Sequence, residues 1–211
     1  LMIKILVADD HAIVREGLKQ IVADTSDIVV AGEAVDGQEV LDQVRKEDWD
    51  LILLDISMPG RSGIDTLKDL KIEKPKLPVL VLSMYPEEQY AIRALKAGAA
   101  GYLTKESAPE ELIEAIRKVS RGGKYISASL AESLASHVGA SAEKPPQETL
   151  SDREYQVMLM IASGKTVSEI ANELSLSVKT ISTNRVRALR KMGMKTNAEL
   201  TYYAIRQGLV G

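Results

Sequence analysis

The 211 residues suffice for one large or two ordinary domains, each able to bury a core, and the absence of Cys excludes disulfides and thiolate metal sites. The net charge of −3 is unevenly spread, at −6 over residues 1–122, −1 over 123–149 and +4 over 150–211, so two domains with different partners are expected. No apolar run approaches the ~20 residues of a membrane span and no signal-peptide pattern opens the chain, so no membrane partner and a cytoplasmic setting are expected.

In chain order, Ile3 to Ala8 reads as a strand followed directly by Asp9-Asp10. A helix from about Ala12 to Ala23 is predicted to turn Ile13, Leu18, Ile21 and Val22 inward. Ile28 to Ala31 is a second strand, and Asp36 with Glu39 forms an N-cap and N3 pair for a second helix. Leu51 to Leu54 is an apolar run without alternation, as expected of a strand buried on both faces of a parallel sheet; it ends at Asp55, before the loop-forming Met58-Pro59-Gly60. Ile64, Leu67 and Leu70 mark a third helix, Val79 to Leu82 a fourth strand ended by Ser83, and Tyr90 to Leu95 a fourth helix stopped by Gly98. Ala100 to Leu103 is a fifth strand, ended by Thr104-Lys105, and Ser107 with Glu110 is predicted to cap a fifth helix reaching Ser120. Five βα units imply an α/β fold with a doubly wound, five-stranded parallel sheet.

The chemistry-bearing residues fall at one edge of that sheet. Asp9 and Asp10 follow the first strand, Asp55 the third, Ser83 the fourth and Lys105 the fifth. Open α/β sheets place their ligands at this edge, and an ionised carboxylate there is able to attack a phosphoryl group without a base. Three close carboxylates repel one another unless a cation intervenes, and hard oxygen donors favour Mg²⁺. Lys105 supplies a compact positive charge and Ser83 a hydroxyl for the same phosphoryl oxygens. The two His, His11 and His137, are too far apart in sequence to suggest a local metal motif.

Over residues 3–121 the sequence resembles a bacterial response-regulator receiver domain. The match covers Asp9-Asp10, Asp55 within Leu-Leu-Asp-Ile-Ser-Met-Pro-Gly, Ser83, and Tyr102 with Lys105 in Gly-Tyr-Leu-Thr-Lys. The resemblance implies Asp55 as phospho-acceptor for a cognate sensor histidine kinase, and Asp10, Asp55 and the Ser57 backbone carbonyl as Mg²⁺ ligands. It further implies that Asp9 acts through water, that Lys105 pairs with the phosphoryl group, and that Ser83 and Tyr102 form a conformational switch.

Ser127 to Val138 has helical spacing at Leu130, Leu134 and Val138, and the small, polar stretch from Gly139, with its Pro pair, reads as a linker. From Leu150 the helix signals are dense. Ser151-Asp-Arg-Glu154, Thr166-Val-Ser-Glu169 and Thr196-Asn-Ala-Glu199 are capping boxes, Ser177 is an N-cap, and Gly164, Gly193 and Gly208 are stops. Four helices with a tight turn at Ser175-Leu-Ser177 predict a smaller all-α helix-turn-helix domain. On the third helix Val178, Ile181, Ala188, Leu189 and Met192 project to one side, and Lys179, Thr183, Val186, Arg187 and Arg190 to the other, with Ser182 at the border. Between Glu173 and Glu199 there are six basic residues and no acidic one, which points to phosphate contact with double-stranded DNA. Arg185 projects toward the core and reads as a packing or interdomain residue.

Residues 150–211 look like a LuxR-type helix-turn-helix. The matching residues include Leu150-Ser151-x-Arg153-Glu154, Gly164-Lys165-Thr166, Glu169-Ile170-Ala171 and Ser177-x-Lys179-Thr180-Ile181. The whole chain therefore resembles a response regulator of the NarL/FixJ family, with a receiver over 2–122, a linker with a short helix over 123–147 and a DNA-binding domain over 148–211. By this resemblance Lys179 and Thr180 touch phosphates while Ser182, Thr183 and Val186 face bases. Arg187 and Arg190 belong to the basic rim, and phosphorylation is expected to release the DNA-binding domain from the receiver to dimerise on paired half-sites. The competing reading is an Asp-nucleophile phosphatase or phosphotransferase; such enzymes of the haloacid-dehalogenase type need a second Asp two residues on, where Ser57 stands. A regulator of transcription, and not an enzyme, is the expectation.

Overall fold

The computed structural model describes residues 2–128, 130–132 and 145–210. The chain divides into two compact units, residues 1–134 and 135–211. The helical spacing at Leu134 and Val138, His137 and linker residues 139–144 lie outside the described residues.

The first unit alternates strand and helix: β1 (Ile3–Ala8), α1 (Ala12–Ala23), β2 (Ile28–Ala34), α2 (Gly37–Lys46), β3 (Leu51–Leu54), α3 (Gly63–Glu73), β4 (Val79–Ser83), α4 (Glu87–Lys96), β5 (Gly101–Thr104) and α5 (Pro109–Ser120). The five strands are parallel in the order β2-β1-β3-β4-β5, the flavodoxin-like doubly wound arrangement. β3 is central and every residue in it is buried. Ile5, Val7, Leu51, Leu53, Leu80, Leu103, Ile116 and Val119 share one cluster, each contributing roughly 1.5–3 kcal/mol when fully buried.

Edge strand β2 runs three residues further than the apolar pattern predicts. Its burial alternates because one side faces solvent, and pairing of Ala8 with Ala34 carries it on. Ile5 pairs with Val30 and Leu6 with Gly32, so Ala31 is the extra residue of a bulge. A Cβ on Gly32 would lie 2.4 Å from the Trp49 ring, which explains a residue without a side chain there.

Three expectations are corrected. Ile13 is 83% exposed, not inward. It sits in the first turn of α1, where side chains lean toward the helix N-terminus and past the core. For the same reason Val178, first residue of its helix, is 52% exposed instead of joining Ile181. The cap of α5 is Ala108, with no side-chain hydrogen bond, and not Ser107. Pro109 fixes the first helical position and holds Ala108 extended, which leaves Ser107 one residue too early.

The second unit holds a short 3₁₀ turn (Pro146–Thr149) and helices α6 (Asp152–Ala162), α7 (Val167–Glu173), α8 (Val178–Lys191) and α9 (Asn197–Arg206). Ser151 and Thr166 close full capping boxes with Glu154 and Glu169. Ser177 and Thr196 cap α8 and α9, but the expected third box stays open because Glu199 accepts from the Lys195 N–H instead of that of Thr196. Gly164, Gly193 and Gly208 follow their helices with positive φ. Ser175 takes φ +52° in the turn between α7 and α8. Val157, Met160, Ile161, Ile170, Ala171, Leu174 and Ile181 form the core beneath that turn.

Candidate functional site

The parallel register sets the ends of β1 and β3 side by side: Ala8 pairs with Leu54, and the Asp55 N–H donates to the Ala8 carbonyl (2.9 Å). Asp9 and Asp55 therefore emerge together, both almost wholly buried. β4 and β5 end in register at Ser83 and Thr104, and the Lys105 N–H donates to the Ser83 carbonyl (2.8 Å). Lys105 reaches back so that its ammonium lies 2.6 Å from Asp9 Oδ2 and 2.7 Å from Asp55 Oδ2. The second Asp55 oxygen accepts from the Ser57 backbone N–H (2.8 Å). The loop that carries Ser57 is held tight against α3, since a Cβ on Gly63 would meet the Ile56 Cα at 2.3 Å.

Burial pushes the Asp55 carboxyl above its ordinary range, and the charge and hydrogen bond of Lys105 only partly offset this. Burial would lower Lys105, but the Asp55 and Asp9 carboxylates outweigh it and hold the ammonium above its ordinary value. One lysine thus faces two buried carboxylates, and a third, Asp10, has its Oδ1 buried without a hydrogen-bond partner.

His11 completes the cluster: ligand atoms of Asp9, Asp10, His11 and Asp55 all lie within 4.8 Å of one another. Its N–H donates to Asp9 Oδ1 (2.9 Å) and its Nδ1 lies 3.2 Å from the same oxygen. Nδ1 also stands 3.1 Å from Asp10 Oδ1, but without hydrogen-bonding geometry, so that oxygen remains unsatisfied. Set aside in the sequence for want of a nearby second His, His11 was findable from its place directly after Asp9-Asp10. Three carboxylates with one unsatisfied oxygen are a donor set that a hard divalent cation fits.

Ser83 and Tyr102 are fully buried, and their hydrogen bonds converge on Tyr85. Ser83 Oγ accepts from the Tyr85 N–H (3.1 Å), and the Tyr102 hydroxyl donates to the Tyr85 carbonyl (2.7 Å). Burial holds the Tyr102 phenol far above its ordinary range, so it stays a donor. The pair is thus tied to the β4–α4 loop rather than to Asp55 itself.

In the second unit α8 displays Lys179, Thr180, Thr183, Val186, Arg187 and Arg190 to solvent, while Ser182, Asn184 and Arg185 are half-buried. Ser177 Oγ accepts from the Thr180 N–H (3.0 Å), the Thr183 hydroxyl donates to the Lys179 carbonyl (2.9 Å), and Asn184 Nδ2 donates to the Thr180 carbonyl (2.9 Å). Arg185 Nη1 lies 3.5 Å from Asn197 Oδ1, within the unit. Lys191, counted among the six cations, is bound to Glu154 (2.6 Å).

The comparisons agree with both halves. Residues 5–117 match the response regulator receiver domain family and residues 148–204 the luxR family of bacterial regulatory proteins. The chain is 38% identical over 209 residues to response regulator UvrY of Escherichia coli K12, covering 99% of this chain and 96% of that one. It is also 38% identical over 210 residues to response regulator GacA of Pseudomonas aeruginosa, covering 99% and 98%. Among solved structures, RcsB of Salmonella typhimurium aligns with TM-score 0.68 at 28% identity, covering 96% of each chain. RcsB of Salmonella enterica serovar Typhimurium bound to promoter rprA with phosphomimetic BeF₃⁻ aligns at 0.66 and 28%, covering 99% and 100%. Among the described residues no helix is long and apolar enough to cross a membrane. With a receiver followed by a LuxR-type helix-turn-helix, the chain belongs to the NarL/FixJ family of response regulators.

Proposed function

We propose that a sensor histidine kinase phosphorylates Asp55 in a Mg²⁺-dependent reaction, and that the phosphorylated chain binds specific double-stranded DNA through α8 as a homodimer. Residues 2–122 serve as the receiver and 148–211 as the DNA-binding domain. The reading is carried by Lys105 held between Asp9 and Asp55, beside an Asp10 oxygen with no hydrogen-bond partner. Asp55 attacks phosphorus, forming an acyl phosphate as the bond to the donor imidazole breaks, and Lys105 moves from carboxylate to phosphoryl oxygen. Mg²⁺, when bound, neutralises carboxylate and phosphoryl charge; Asp10, Asp55 and the Ser57 carbonyl would hold it, with Asp9 behind a water. Ser83 and Tyr102 sense the change through the Tyr85 loop. Lys179, Thr180, Arg187 and Arg190 contact phosphates, and Ser182, Thr183 and Val186 face bases. Solved complexes of the related RcsB with promoters support the DNA partner.

The test is intact-mass measurement of wild type and Asp55→Asn after incubation with an acyl-phosphate donor, with and without Mg²⁺. A phosphoryl adduct is expected for wild type with Mg²⁺ only. An undiminished adduct in Asp55→Asn overturns the assignment.

A further inference from the structure

We propose that α8 selects its DNA chiefly through the C5-methyl groups of thymine, with Thr183 and Val186 as the readers; this rests on the DNA-binding reading above. Lys179, Thr183, Val186 and Arg190 stand at i, i+4, i+7 and i+11 and so form one stripe along the exposed face. Val186 is 53% exposed in the middle of it. An apolar side chain between cations contributes nothing to the core of its own domain, but it suits a partner that is anionic at its margins and carries apolar groups between them.

The dimensions match the major groove. Lys179 and Arg190 are about 16 Å apart along the axis at 1.5 Å per residue. A groove ~12 Å wide then places these two cations toward the phosphate strands and the centre of the stripe over base edges. Thr183 and Val186 are about 4.5 Å apart along the axis, close to the ~3.4 Å step between base pairs.

The chemistry at the centre is methyl, not hydrogen bond. The Thr183 hydroxyl is committed to the Lys179 carbonyl, which leaves the methyl as the part of that side chain outside the helix's hydrogen bonds. The Asn184 amide nitrogen is committed to the Thr180 carbonyl, and the Thr180 hydroxyl lies 2.8 Å from that of the cap, Ser177. The Thr183 hydroxyl proton and one Asn184 N–H are thus engaged within the helix, so donation to bases at these positions is reduced while the Thr183 and Val186 methyls stay exposed. In the major groove the apolar feature of a base edge is the thymine methyl. Donor readout would rest chiefly on Ser182, which is half-buried beside the stripe.

The full chain, with Mg²⁺ and an acyl-phosphate donor, is used to enrich duplexes from a random pool. The enriched duplex is then resynthesised with each thymine replaced in turn by uracil, which lacks only the methyl. At one or two positions per half-site uracil should weaken binding about fourfold, the value of one buried methyl. Thr183→Ser removes a methyl and keeps the hydroxyl, and Val186→Ala shortens the other reader; both sites are exposed, so folding is preserved. Each variant should bind thymine and uracil duplexes equally at its own position. Uracil tolerated at every position overturns the inference, as does discrimination that persists undiminished in both variants. If no duplex is enriched at any salt concentration, the DNA-binding reading falls and this inference with it.

Discussion

Lys191 Nζ lies 2.6 Å from Glu154 Oε2, which joins the last turn of α8 to the first turn of α6. The glutamate is almost wholly buried and also accepts from the Ser151 N–H at the cap of α6. Burial would raise its pKa, but Lys191 and the Ser151 N–H outweigh this and hold it below the usual carboxylate range. A lysine in a basic helix is therefore a structural counter-ion, and its removal leaves a buried charge uncompensated.

Lys191→Ala is accordingly expected to lower stability, by about 1–2 kcal/mol once the lysine's own partial exposure is discounted from the ~3–5 kcal/mol of a fully buried pair. The sign with pH follows from the lowered Glu154. The pair stabilises the fold above the unfolded-state value and the contribution is lost as pH falls through the folded one. Urea denaturation of both proteins should show a gap at neutral pH that closes on acidification; a gap independent of pH would mean the lysine acts by packing alone.

Lys179 presents the opposite case, a solvent-facing cation at the start of the α8 stripe. Lys179→Ala should leave urea stability within about 0.5 kcal/mol. It should weaken binding to all DNA sequences about equally, and reduce the slope of log affinity against log salt by about 1. Titrations at several salt concentrations on cognate and scrambled duplexes measure both, and a sequence-dependent loss would reassign Lys179 to base contact.

How much of this was legible before the structure depended on where a residue's constraint lies. β3 and the capped helices α2, α6, α7 and α8 follow from local patterns, because an unbroken apolar run or a Ser-x-x-Glu box specifies its own geometry. The co-location of Asp9, Asp55 and Lys105 was also readable, since strand ends in a parallel sheet share an edge. The Lys191–Glu154 pair was not: the two are far apart in sequence, and at helical spacing a lysine bound to a glutamate looks like any solvated one. Ile13 and Val178 were misread because periodicity assigns a face but not how far the core extends beyond the first turn.

Asp10 carries the unsatisfied carboxylate oxygen of the acidic edge, so its charge should matter most to a bound cation. Asp10→Asn keeps the shape and removes one of the three carboxylates. Calorimetric titration with Mg²⁺ should show at least about tenfold weaker binding, equivalent to about 1.4 kcal/mol. Calcium, larger and less demanding of octahedral geometry, should lose less. Equal Mg²⁺ affinity in both proteins would remove Asp10 from the ligand set.

Lys105 makes the most informative deletion because its loss has opposite consequences with and without cation. Its ammonium separates two buried carboxylates at 2.6 and 2.7 Å. Without it Asp9 and Asp55 repel at short range, and Asp55, already raised by burial, loses the charge that partly offsets that rise. A carboxylate with a raised folded-state pKa disfavours the fold as it ionises, so stability is retained below the unfolded value and falls as pH rises toward the folded one. Lys105→Ala should therefore lose more stability than wild type as pH rises from the ordinary carboxylate range upward. Mg²⁺ supplies the missing positive charge and binds the folded state alone. It should raise the thermal midpoint of Lys105→Ala more than that of wild type, because its affinity increases once a competing cation is gone. Thermal scans across that pH range, with and without Mg²⁺, give all four curves. A variant as pH-insensitive as wild type, or one that Mg²⁺ stabilises less, would show that Lys105 is not the charge that holds the acidic edge together.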